Sequence, residues 1–216
     1  TDDIAAVMRH LKIKKAHIIG CSMGGYATIH FGLRYARMAL SLTAVGAGYG
    51  SDPDKRAQFM RDTEVMARRF EELGTAEAIK PYQIGPARVQ FQNKDPRGFA
   101  HFCAEFAKHS ALGSANTLRG VQAKRPTIYS LERGLKKLKV PLHVVSGDED
   151  NLCLEPGLFI KRACAAASLT VVANSGHAVN REEPDLFNRL TAEFLASVDS
   201  GRWRPRDPRS LNVSTM

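Results

Sequence analysis

The run Gly20-Cys21-Ser22-Met23-Gly24 constrains this chain more than any other feature, because of what stands on either side of it. Upstream, Ala16 to Gly20 is an isoleucine-rich apolar run, too short for a helix, and reads as a buried strand. Downstream, Tyr26 to Arg37 carries a helical pattern. A G-x-S-x-G run at a strand-to-helix junction sets its serine on a sharp, strained bend with the hydroxyl exposed. Gly20, Gly24 and Gly25 are read as relieving the crowding of that bend, and Gly25 as letting the helix pack close to the sheet. The bend also puts the Met23 N–H at a helix N-terminus, where it can donate to a developing oxyanion. A serine hydroxyl is a weak nucleophile at neutral pH and needs a base, and the base needs an orienting carboxylate. Ser22 is therefore a candidate nucleophile only if later segments supply both partners.

The rest of the chain alternates. A first helix, capped by Thr1 or Asp2, aligns Ile4, Val7, Met8 and Leu11 on one apolar face. A second strand is expected from Ala39 to Val45, running into the glycine-rich stretch Gly46 to Gly50, which is read as a hinge or as a point of substrate approach. From Asp52 to about Arg133 the pattern is helical, broken by Pro81, Pro86, Pro96 and Pro126, with Arg56–Leu73 and His101–Leu112 the clearest helices. Strands are expected again from Val140 to Val145 and from Leu169 to Ala173, with helices over Pro156–Ala167 and Pro184–Val198. This order predicts an α/β fold with a parallel sheet covered on both faces. The core spans 1–50 and 136–198, a helical cap spans 51–135, and an Arg-, Pro- and Ser-rich surface tail spans 199–216. Gly147-Asp148-Glu149-Asp150 offers three carboxylates after the third strand, and Asn174-Ser175-Gly176-His177 offers a histidine after the last.

On these residues the sequence resembles the α/β-hydrolase superfamily in its capped branch, from Thr1 to about Val198. The order serine, acid, histidine is the one this fold uses. The resemblance selects Asp150 as the acid, with Asp148 as the alternative, matches His177 to the family's Gly-His pair, and matches Glu183-Pro184 to the start of its final helix. It implies a serine hydrolase acting through an acyl-enzyme on a small ester or related carbonyl compound, with no metal or organic cofactor. Hydrolysis of a carbon–carbon bond in ring-fission products, or ligand binding on a hydrolase-like fold, are the other readings it carries. Members of the family place several strands and an oxyanion loop before the serine. Here one helix and one strand precede Ser22, so the sequence is expected to be a fragment, with a second oxyanion donor missing, an exposed sheet edge and an activity open to doubt.

Composition narrows the partners. The formal net charge is +9, but Lys and Arg are mixed with acids along the chain, and Lys136-Lys137-Leu138-Lys139 and Arg202-Trp203-Arg204-Pro205-Arg206 are only short basic pieces. The expected partner is a small-molecule substrate rather than nucleic acid or membrane, with homo-oligomerisation left open. No run is apolar and long enough to span a bilayer. Cys21, Cys103, Cys153 and Cys164 show no C-x-x-C spacing and read as reduced, mostly buried thiols of a cytoplasmic protein. Cys21 is expected to point away from the site. His101 and His109 are read as facing solvent, one of them able to line a cavity, and Phe59, Phe70, Phe102 and Phe106 as the core of the helical block.

Overall fold

A computed structural model describes residues 1–211; the end of the expected tail, 212–216, lies outside the described residues. Helix α1 (Asp2–His10) leads into β1 (Ala16–Cys21), α2 (Met23–Arg34) and β2 (Ala39–Val45). A helical block follows: α3 (Arg56–Ala78), α4 (Lys80–Gln83), α5 (Val89–Lys94), α6 (Pro96–Ala107) and α7 (Ala111–Thr117), the last running into a π-helical turn at Leu118–Gln122. The chain returns through α8 (Glu132–Lys137), β3 (Leu142–Gly147), α9 (Leu154–Ala163), β4 (Ala167–Val172), α10 (Val179–Glu182) and α11 (Pro184–Asp199). The four strands pair in sequence order, β1-β2-β3-β4, every pair parallel.

Strand alternation divides the apolar residues between two faces. Leu42, Ala44, Leu142 and Val144 join Ile29, Phe31 and Ile160, from α2 and α9, in the largest core. Val45, Val145 and Val172 face the other way, against Val179, Leu186 and Phe187 of α10 and α11. His143 lies on this second face, 4% exposed, with its ring centroid 5.1 Å from that of Phe194 and its Nε2 2.9 Å from Thr170 Oγ1. Helix α1 buries Ala5 and Met8, with Ile4 packed beside them. The face expected for it is thus corrected: Val7 and Leu11 are 56% and 58% exposed, because the buried stripe centres on Met8 and leaves those two on its flank.

Element ends differ from the sequence reading where side-chain hydrogen bonds stop a helix. The helix expected over His101–Leu112 is two helices. The Asp95 carboxylate caps the first through Gly98 N–H, and the Ser110 hydroxyl caps the second through Gly113 N–H, which sets the break at Ser110. Helix α3 is interrupted at Gly74, whose φ of 73° is left-handed. The tail begins anchored rather than loose: the Trp203 ring meets Phe194 edge-on at 5.0 Å, and Arg206 N–H donates to Ala165 O at 2.8 Å.

Both connections of the helical block to the sheet are clasped by the same few side chains. Arg56 donates to the carbonyls of Gly50, Ala123 and Arg125 at 2.8, 2.9 and 3.0 Å. Arg125 donates to Tyr49 O at 2.7 Å and lies 3.8 Å above the ring of Tyr26 on α2. The Tyr26 hydroxyl is 2.5 Å from Ser51 Oγ, which accepts from Ile128 N–H at 3.0 Å. Entry and exit of the block are therefore tied to one helix, the one that starts just after Ser22.

Candidate active site

In an open parallel sheet the loops after the strands converge at the carboxyl edge, which is where such folds bind ligands. Ser22 follows β1, Gly46 follows β2, Asp150 lies three residues beyond β3, and His177 lies five beyond β4. Ser22 is bent: its φ of 57° and ψ of −113° are a conformation that costs energy in any residue with a Cβ. The bend is held by Ser22 N–H donating to Val45 O at 2.8 Å and by Ser22 O accepting from Tyr26 N–H at 3.1 Å. Space for it depends on Gly20, where a Cβ would collide with the Gly24 carbonyl. The crowding role expected of Gly24 is corrected, since a Cβ there would meet nothing within 4 Å. Met23 is the first residue of α2, so its N–H has no acceptor within the helix.

The Ser22 hydroxyl lies 2.9 Å from His177 Nε2, and His177 Nδ1–H donates to Asp150 Oδ2 at 2.7 Å. His177 is 8% exposed and Asp150 2%. Of the three carboxylates after β3, only Asp150 reaches the ring. Asp148 instead accepts from Ser175 N–H at 3.0 Å, and that bond holds its carboxyl below the usual aspartate range. Glu149 N–H donates to Ser175 O at 2.9 Å, and its carboxylate accepts from Gln90 Nε2 at 2.7 Å. Gly46 brings β2 under the histidine: a Cβ there would stand 3.1 Å from the His177 ring.

Sequence reasoning missed Glu182. Its carboxylate is 5% exposed and accepts from the backbone N–H groups of both neighbours of His177, Gly176 and Ala178, at 2.5 and 2.9 Å. The only signal for it was a glutamate at the end of a one-turn helix after the histidine. Cys153 was also missed. Its thiol donates to Gly46 O at 3.2 Å and lies 3.9 Å from His177 Nδ1, and burial pushes it well above the ordinary cysteine range. One donor atom each from Asp150, Cys153 and His177 fall within 4.8 Å of one another, but Nδ1 is committed to Asp150 and the thiol is held neutral. Burial raises Cys21 to about 11, so it is a packing residue beside Val45 and Val145 and not a thiolate nucleophile.

A cavity of about 560 Å³ lies against Met23, walled by Met66, Phe70, Tyr82, Phe106 and Leu118. Phe70 and Phe106 were expected to be core alone; they also form cavity wall, because α3, α6 and α7 surround a space that their small clusters leave unfilled. His109 lines it, and His101 is exposed.

The family model described as "Alpha/beta hydrolase family" matches residues 1–190. A protein of Agrobacterium fabrum (strain C58 / ATCC 33970), provisionally named a carbamate hydrolase, is 28% identical over 203 residues, covering 92% of this chain and 74% of that protein. The 3-oxoadipate enol-lactonase 2 of Acinetobacter baylyi is 25% identical over 198 residues, covering 89% of this chain and 68% of that one. Among solved structures, MenH from S. aureus superposes with a TM-score of 0.80 at 18% identity, over 91% of this chain and 73% of its own, a likeness of fold.

Proposed function

The chain belongs to the alpha/beta hydrolase family, and from that premise we propose that it is a serine hydrolase that cleaves a small ester or related acyl compound through an acyl-enzyme. Ser22 Oγ attacks the carbonyl carbon as His177 Nε2 takes its proton. Asp150 keeps Nδ1 protonated, fixes the ring and stabilises the imidazolium that forms. The Met23 N–H donates to the oxyanion. As the tetrahedral species collapses, His177 returns the proton to the leaving oxygen. Water, deprotonated by the same nitrogen, then attacks the acyl-serine and frees the acid and the enzyme. The reading calls for no metal or organic cofactor.

The observation that carries it is the continuous chain of contacts Asp150–His177–Ser22, at 2.7 and 2.9 Å, running from two buried groups to a half-buried serine. The names of two relatives, one provisionally a carbamate hydrolase and one an enol-lactonase, fit attack on a carbonyl carbon bearing a heteroatom leaving group. Hydrolysis of short- and medium-acyl esters tests the reading. Wild type should turn over at least one of them, and Ser22→Ala should lose roughly a thousandfold or more in kcat. Equal turnover by both proteins would remove Ser22 from the mechanism.

A further inference from the structure

We infer that the cavity against Met23 is the binding site for an uncharged hydrocarbon arm of the substrate, with Leu118 in its wall. The inference rests on the serine hydrolase reading and adds the substrate's chemistry to it. The cavity measures about 560 Å³, inside the range of about 300–1,000 Å³ typical of small-molecule sites. One wall is Met23, the residue after Ser22, so the cavity comes within one residue of the candidate nucleophile, which does not itself line it.

The lining selects for apolarity. Met23, Met66, Phe70, Tyr82, Phe106 and Leu118 make up half of its twelve lining residues, and no Asp, Glu, Lys or Arg lines it. Of its polar liners, Thr117 and Ser110 already have backbone partners, whereas the buried Gln122 Oε1 has none among the described residues. The Thr117 hydroxyl donates to Gly113 O at 2.8 Å, and the Ser110 hydroxyl accepts from Gly113 N–H at 3.1 Å. A second cavity, of about 510 Å³ and lined by Tyr49 and Tyr129, is the opposite in kind, since Asp52, Lys55, Asp62 and Glu155 also line it. Chain architecture supports a built site as well. Leu118 and Gln122 stand at the two ends of the π-helical turn, an irregularity that occurs often at functional sites, and both line the cavity.

The arm can belong to the acyl or to the alcohol part of an ester, and two series of 4-nitrophenyl acyl esters and alkyl acetates, each from two to twelve carbons, separate these. Each buried methylene should raise kcat/KM about threefold to fourfold in one of the series, up to roughly eight carbons, and leave the other nearly flat. Leu118→Trp, which fills the cavity, should abolish the rise. Ser114→Trp, at a liner outside the block's apolar clusters, repeats the test. Calorimetric titration of octanamide into the Ser22→Ala protein reads the cavity independently of turnover: binding is expected, and at least tenfold weaker binding when Leu118→Trp is added. If neither ester series rises with length, or if octanamide binding ignores Leu118→Trp, the inference is wrong even where Ser22-dependent hydrolysis stands. If octanamide binds as expected while no ester is hydrolysed, the cavity assignment holds and the serine hydrolase reading fails.

Discussion

The loops at the carboxyl ends of the strands and the helical block behind them are built to different standards. In the loops, backbone groups around the candidate catalytic residues are paired: Ser22 N–H with Val45 O, Gly46 N–H with Val145 O, Ser175 N–H with Asp148, and both neighbours of His177 with Glu182. Unpartnered buried side-chain atoms do not separate the two regions, since Thr43, His143 and Ser146 of the strands keep one just as Arg69, Arg88 and Gln122 of the block do. Packing does. The sheet and its covering helices have a large core on one face and a smaller cluster on the other, whereas the block has two small clusters, around Phe70 and around Phe91, beside an open cavity. Three side chains that must meet within a few tenths of an ångström need every loop held in place. A surface that receives a substrate arm needs space and tolerates looser packing.

That contrast can be broken by experiment. Asp150→Asn should have the largest effect, lowering kcat about ten-thousandfold with the melting temperature nearly unchanged, because the wrong tautomer of His177 is then favoured. A small effect on kcat would mean that the Asp150–His177 bond is structural. Phe31→Ala, in the large core with no exposed surface, should cost about 4 kcal/mol in urea unfolding, and Phe106→Ala, on the cavity wall, about 1 kcal/mol. Equal costs would erase the proposed difference in packing.

His143 gives a pH-dependent test of the core alone. Burial lowers it from 6.5 to about 4, so between those values the unfolded chain binds a proton that the folded one refuses. Stability is therefore full above about pH 6.5 and falls by about 3 kcal/mol as pH drops to 4. His143→Gln should flatten that limb of the stability profile; an unchanged slope would assign it to other groups. Glu182→Gln should produce a smaller change. It leaves one of the two N–H groups beside His177 without an acceptor, costing about 1–2 kcal/mol and lowering kcat roughly tenfold. Asp148→Asn, altering a single exposed bond, should do less.

How much of this was legible in the sequence follows the same division. The bend at Ser22 is local: glycine spacing and a strand-to-helix change carry it, and the parallel sheet follows from alternation. The choice among Asp148, Glu149 and Asp150 was not local. It depends on which carboxylate faces a ring 27 residues further on, and only a likeness to a family favoured Asp150 beforehand. Glu182 was invisible because its partners are backbone N–H groups of a loop, which no side-chain pattern records. In the block, aromatic spacing marked Phe70 and Phe106 as buried, but periodicity does not say whether the space they face is filled. The break at Ser110 could have been read, since a serine three residues before a backbone N–H is a helix cap, yet the apolar pattern runs through it.

The central claim is that Ser22 is the nucleophile, and reaction with a fluorophosphonate followed by intact-mass and peptide mass spectrometry addresses it without knowledge of the substrate. One adduct per chain, on the peptide carrying Ser22 and absent from Ser22→Ala, is the result expected here. An adduct of equal yield in both proteins, or none in a folded wild-type chain, would contradict it.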